Sequence, residues 1–137
     1  MSNLDYPTRL TVMRYLLLLY GPPVRPEELT PEQWQGVVEA HTTFHGELRE
    51  AGALVDSSPL VPPTEARTIR IRRGDRLVID GPFAETKEVL GGYYLIEAES
   101  LDAAVAWAQR LRHDADGSIE VRPLLEMHVD SGPIRSS

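Results

Sequence analysis

The chain has no cysteine in 137 residues, so disulfides, thiol nucleophiles and cysteine metal ligands are excluded. It has one lysine, Lys87, among 14 basic residues; the rest are arginines. No apolar run approaches the roughly 18 residues of a membrane span, and the longest, "YLLLLY", is the size of a strand. The N-terminal "MSNLDYPTRL" carries acid and proline early and lacks a signal-peptide pattern, so a cytoplasmic location is expected. There is no phosphate-cradling glycine loop, no G-x-S-x-G elbow and no H-E-x-x-H. His41 and His45 are spaced to share a metal on one helix, but no further ligand pattern accompanies them; no metal or cofactor is expected. A net charge of −7 argues against a protein that tracks phosphate backbones, so nucleic acid is not an expected partner.

What is present is a regular alternation of strand and helix signals. "MRYLLLLY" (13–20) is apolar on both parities, the pattern of a strand covered on both faces. Thr30 is an N-cap, Pro31 suits the first helical position and Gln33 completes a capping box. The apolar stripe that follows runs through Trp34, Val37, Val38, Phe44, Leu48 and Ala51 to a stop at Gly52. "TIRIRRGDRLVID" predicts a hairpin turning at Gly74-Asp75, after a short extended piece and a proline-rich loop. Tyr93 to Ala98 reads as a further strand, Ser100 caps a second helix, and "SIEVRPLLE" closes the set. Residues 1–12 are expected to be a flexible extension, 13–127 the single domain and 128–137 a polar tail. The order predicts an α+β, ferredoxin-like split βαβ fold with an antiparallel sheet and two helices on one face. The uncovered face, apolar in its central strands, predicts a homodimer packed sheet to sheet.

His41 continues the apolar stripe, four residues after Val37 and three before Phe44, so it is aimed at the core side of the first helix. An imidazole there is either a buried structural group or an acid/base poised for proton transfer at neutral pH. His45 lies one turn further along. The stretch "IDGPFAETKEVLGGYYLIEAES" supplies the other candidates. Asp80 is a turn-forming residue or a carboxylate orienting His41, and Glu85 is the alternative carboxylate. Lys87 is a solvated charge or a ligand contact. Arg67, Arg70, Arg72, Arg73 and Arg76 form either a solvated hairpin face or an anion or partner contact. The candidate catalytic set is therefore His41, Asp80 and Glu85, with Lys87, Arg70, His45 and Tyr93 as candidate substrate-binding residues.

"DGPFAETKEVLGGYYLIEAESLDAAVAWA" resembles the hallmark of the DGPF branch of the YCII-related proteins. The likeness extends from "RYLLLLYG" through "REAGALVDSSPL" to "GSIEVRPLLEM", about residues 13 to 127. It implies a dimeric α+β barrel built from ferredoxin-like units. Many DGPF-type members accompany extracytoplasmic-function sigma factors, while one branch of the wider group removes chloride from a chlorinated hydroxyhydroquinone. That group has a first-helix histidine about eleven residues before the helix-ending glycine, the relation of His41 to Gly52. Its frequent Asp-Pro pair after the second helix is replaced here by Leu111 and Arg112, so a dyad of that form would need Asp80 or Glu85. Two functions are expected from these readings. One is a cofactor-free lyase or isomerase acting on a small anionic or aromatic ligand. The other is a non-catalytic ligand- or protein-binding module linked to a sigma factor.

Overall fold

The computed structural model of the chain describes residues 13–23, 25–82, 86–112 and 116–125. The elements are β1 (Met13–Gly21), α1 (Pro31–Glu50), β2 (Leu54–Pro59), β3 (Arg67–Arg72), β4 (Asp75–Asp80), β5 (Val89–Ala98), α2 (Leu101–Ala108) and β6 (Ser118–Pro123). Four strands form one antiparallel sheet in the order β2-β5-β1-β6. This is the ferredoxin-like α+β arrangement, with β3 and β4 inserted as a separate two-stranded hairpin.

Local chemistry accounts for the helix ends. Thr30 Oγ1 accepts from the Gln33 backbone N–H at 3.0 Å, and Gln33 Oε1 accepts from the Thr30 N–H at 2.9 Å. These reciprocal bonds satisfy backbone donors that the first turn leaves open. The Ser100 side chain accepts from the Ala103 N–H at the start of α2. α2 stops at Ala108, yet Leu111 in the following turn is still buried.

The core lies between the sheet and the two helices. Tyr15 and Leu17 of β1, and Tyr94, Ile96 and Ala98 of β5, point inward against Phe44 and Leu48 of α1 and Ala104 and Ala108 of α2. Leu17, Phe44, Leu48 and Ile96 are almost wholly removed from water, each worth about 1.5–3 kcal/mol of transfer free energy. A salt bridge from Arg110 to Glu47, 3.1 Å, ties the end of α2 to α1. On the opposite sheet face, Leu16, Leu18 and Leu95 are half-buried, and among the described residues no helix covers them.

The extended piece expected after α1 is present as β2, an edge strand of the main sheet, with Ala53 and Leu54 packed in the core and the strand in register with β5. Two other expectations about the elements need correction. β5 begins at Val89 rather than Tyr93, so Gly91 and Gly92 lie inside the strand. The approach of β2 is close here: a Cβ on Gly92 would sit 3.0 Å from the Ser58 carbonyl oxygen and 3.3 Å from Pro59 Cα, so a larger residue would require β2 to give by a few tenths of an ångström. The hairpin turns at Arg73-Gly74, one residue earlier than expected, with φ of 50° and 86°. Positive φ at both central residues matches the right-handed twist of a two-residue hairpin.

Candidate functional site

The apolar stripe of α1 divides into two parts. Its C-terminal half, Phe44 and Leu48, fills the core. Its N-terminal half, Trp34, Val37 and Val38, instead lines a cavity of about 690 Å³, with Trp34 and Val38 still partly open to solvent. The opposite walls come from the end of β1, from the start of β5 and from the segment 57–64. Pro22, Pro23, Pro59, Pro62 and Pro63 belong to the lining, giving the cavity conformationally restricted walls.

His41 sits where the two halves of the stripe meet. Its Nδ1 lies 2.8 Å from the Tyr94 hydroxyl, and both residues line the cavity. Tyr94 is 5% exposed. Its ring meets Phe44 edge to face, centroids 4.9 Å apart, and lies parallel to the His41 ring at 6.0 Å. Burial raises the Tyr94 phenol from its ordinary 10.0 to about 12. The phenol is therefore protonated throughout the physiological range. Its O–H can donate to Nδ1, leaving the proton on Nε2, or its oxygen can accept from Nδ1–H, leaving the Nε2 lone pair for a proton. One rotatable hydroxyl thus serves both tautomers.

The other candidates are dispersed. Asp80 closes β4, its carboxylate 92% exposed and 3.4 Å from Arg67 Nε. Arg70 is half-buried on β3, Lys87 is exposed just before β5, and His45 is half-buried one turn beyond His41. Tyr93 contributes to the cavity wall, but its hydroxyl donates to Asp56 Oδ2 at 2.9 Å; that bond is the main reason its pKa is raised. Glu85 lies outside the described residues. Arg25 is the cationic side chain of the described lining, and it pairs with Glu27 at 3.6 Å and Glu28 at 3.4 Å. Among the described residues, no three His, Asp or Glu side chains are grouped as a metal site requires.

Tyr94 is the residue that reading the sequence missed. A signal was present: it shares parity with Ile96 and Ala98, the inward face of β5, while His41 is on the inward stripe of α1. Two polar-tipped side chains on facing apolar surfaces are natural hydrogen-bond partners.

The family model of the YCII-related domain matches residues 13–128, most of the chain. The chain belongs to the YCII-related family. It is also 40% identical over 114 residues to an uncharacterized protein of Rhizobium meliloti (strain 1021), a match covering 82% of this chain and 92% of the relative. The match to the YCII-related domain takes in both α1, with His41, and β5, with Tyr94.

Proposed function

We propose that this YCII-related protein binds a small, largely apolar organic molecule in the cavity and transfers a proton at His41, as a cofactor-free lyase or isomerase. The observation that carries the reading is the 2.8 Å contact between His41 Nδ1 and the buried Tyr94 hydroxyl within an apolar cavity. In the step, Nδ1–H donates to the Tyr94 oxygen while Nε2 takes a proton from a C–H or O–H of the substrate. The imidazolium then returns that proton to a neighbouring atom or to a leaving group. A neutral phenol stabilises the imidazolium less than a carboxylate would, which suits a reversible transfer.

The test does not require the natural substrate. Enol-forming carboxylic acids and hydroxylated aromatics are incubated with the protein in D₂O, and uptake of deuterium at carbon is followed by NMR. The expected result is catalysed exchange by the wild type and loss of about 10²–10⁴-fold of it in a folded His41→Ala variant, the usual worth of a general acid/base. Equal exchange rates for wild type and variant would remove His41 from the chemistry.

A second reading is favoured by the hairpin. Ile69, Ile71, Leu77 and Val78 are each more than half exposed, interleaved with five arginines. Such a surface suits a non-catalytic module that docks an acidic protein, a sigma factor being the partner that the resemblance implies. Pull-down of a candidate sigma factor that is unchanged by replacing Arg72, Arg73 and Arg76 with alanine would remove this reading.

A further inference from the structure

One hydroxyl in the cavity wall is not used by the fold. Cross-strand register puts Ser57 of β2 directly opposite Tyr94 of β5, so the two side chains share the inward face of the sheet. Directly opposed residues have Cβ atoms about 4.5–5.5 Å apart. Ser57 is half-buried and lines the cavity together with Tyr94 and His41. The same face is otherwise built of residues such as Leu17, Leu54 and Ile96, which remove apolar surface from water. Packing alone does not account for a serine among them.

The other hydroxyls of the wall are already engaged or lie elsewhere. Ser58 Oγ donates to the Pro59 carbonyl at 2.8 Å, the Tyr93 hydroxyl donates to Asp56, and the Tyr94 hydroxyl meets His41. Tyr20 falls on the outward parity of β1, and Thr42 and Thr64 are exposed. Ser57 makes its hydrogen bond among the described residues through the backbone, its N–H donating to Asp56 Oδ1 at 2.9 Å. Asp56 thus accepts from both Ser57 and Tyr93 and pins this part of β2 to β5 from the far face. The Ser57 hydroxyl is left on a held strand, turned to the cavity side, with its hydrogen available to a ligand.

We propose that Ser57 Oγ–H donates to the carbonyl oxygen of an uncharged, enolisable ligand and stabilises the negative charge that develops there as His41 takes the adjacent proton. The proposal rests on the proton transfer described above and gives it a substrate class. The C–H bond beside the carbonyl breaks and its proton goes to His41 Nε2. Its electron pair forms the C=C bond, and the carbonyl π pair moves onto the oxygen that faces Ser57. The imidazolium then returns a proton to the same carbon, restoring the ketone, or to a conjugated position, giving an isomer. A hydroxyl aimed at that oxygen binds the enolate more strongly than the ketone, which is what accelerates the step. That the ligand is uncharged follows from the wall. Arg25 is the permanently charged cation of the described lining, and Glu27 and Glu28 already offset it, so no surplus positive charge awaits a carboxylate.

Phenylacetone and phenylpyruvate test this directly. Both carry a benzyl group with an enolisable C–H, and they differ in a methyl group against a carboxylate. Deuterium uptake at the benzylic carbon is followed by NMR in D₂O, each rate divided by its rate in buffer, for the full-length wild type, Ser57→Ala, Ser57→Thr and His41→Ala. The expected result is larger acceleration of phenylacetone than of phenylpyruvate. Ser57→Ala should lower kcat by about 10²-fold, as for loss of one oxyanion donor, with little change in KM and an unchanged melting temperature. Ser57→Thr, which keeps the hydroxyl, should recover most of the rate. Wild-type rates in Ser57→Ala, or a Ser57→Thr variant as slow as Ser57→Ala, would overturn the role of Ser57; stronger acceleration of phenylpyruvate would overturn the uncharged class. Loss of exchange in His41→Ala alone removes Ser57 and keeps the proton transfer, and loss in Ser57→Ala alone does the reverse. A wild type that exchanges neither ketone also overturns the assignment of Ser57, while exchange of the acids and hydroxylated aromatics above still decides His41 by itself.

Discussion

Tyr94 is a neutral partner for His41 at any pH at which the protein works, and this sets a pH signature. The unfolded phenol titrates near 10 and the folded one near 12. Below pH 10 both states keep the proton and the contribution to stability is constant. Between about 10 and 12 the unfolded state binds fewer protons than the native state, so stability falls as pH rises, by at most about 1.4 kcal/mol per pH unit. The stability difference between wild type and Tyr94→Phe should therefore be flat below pH 10 and shrink above it, as read by urea melts across that range. A difference that stays flat to pH 12 would mean the phenol is not buried as described. Residue-level legibility was uneven for a physical reason. The position of His41 on the inward stripe follows from helical period alone. Its partner lies 53 residues away on another element, and only the packing of α1 on β5 brings them together. A carboxylate was the natural expectation because carboxylates usually orient catalytic imidazoles, but the exposed Asp80 is held by Arg67.

At the scale of elements, helices were more legible than strands. Thr30, Pro31, Gln33 and Gly52 bracket α1 by rules that act within one turn, and the capping box is present as its spacing implies. Strand limits depend on neighbours. β5 runs through Gly91-Gly92 because β2 lies against it, and β2 carries too weak a pattern to declare itself as part of the sheet. This gives a prediction for Gly92→Ala. The new methyl would meet backbone atoms of Ser58 and Pro59 that cannot rotate away. Overpacking of that kind costs about 1–3 kcal/mol, and loss of amide protection in β2 should exceed that in β6. Uniform protection would show that the strands separate without cost. The hairpin was legible as a hairpin, from alternating Ile69 and Ile71 and from Gly74. Its independence of the main sheet was not, since alternation alone does not say which face, if any, is covered.

For the whole molecule, the ferredoxin-like order emerged from the sequence because two helices and apolar strands leave few ways to bury both. The cavity did not. It exists because the apolar stripe of α1 outruns the part of the sheet it covers, leaving Trp34 and Val38 over open space rimmed by prolines. Side chains that helical period assigns to the core thus become the wall of a cavity. In the function proposed above, the protein binds its ligand in this cavity, with His41 and Tyr94 in the wall. The most direct measurement is protein-observed NMR of the full chain against a fragment set of aromatic and carboxylic compounds, following the His41 imidazole and Trp34 indole signals. Fragments should shift both sets together, and Trp34→Ala should weaken binding by about tenfold, equivalent to about 1.4 kcal/mol. Shifts that avoid both residues, or fragment binding unchanged by Trp34→Ala, would contradict it.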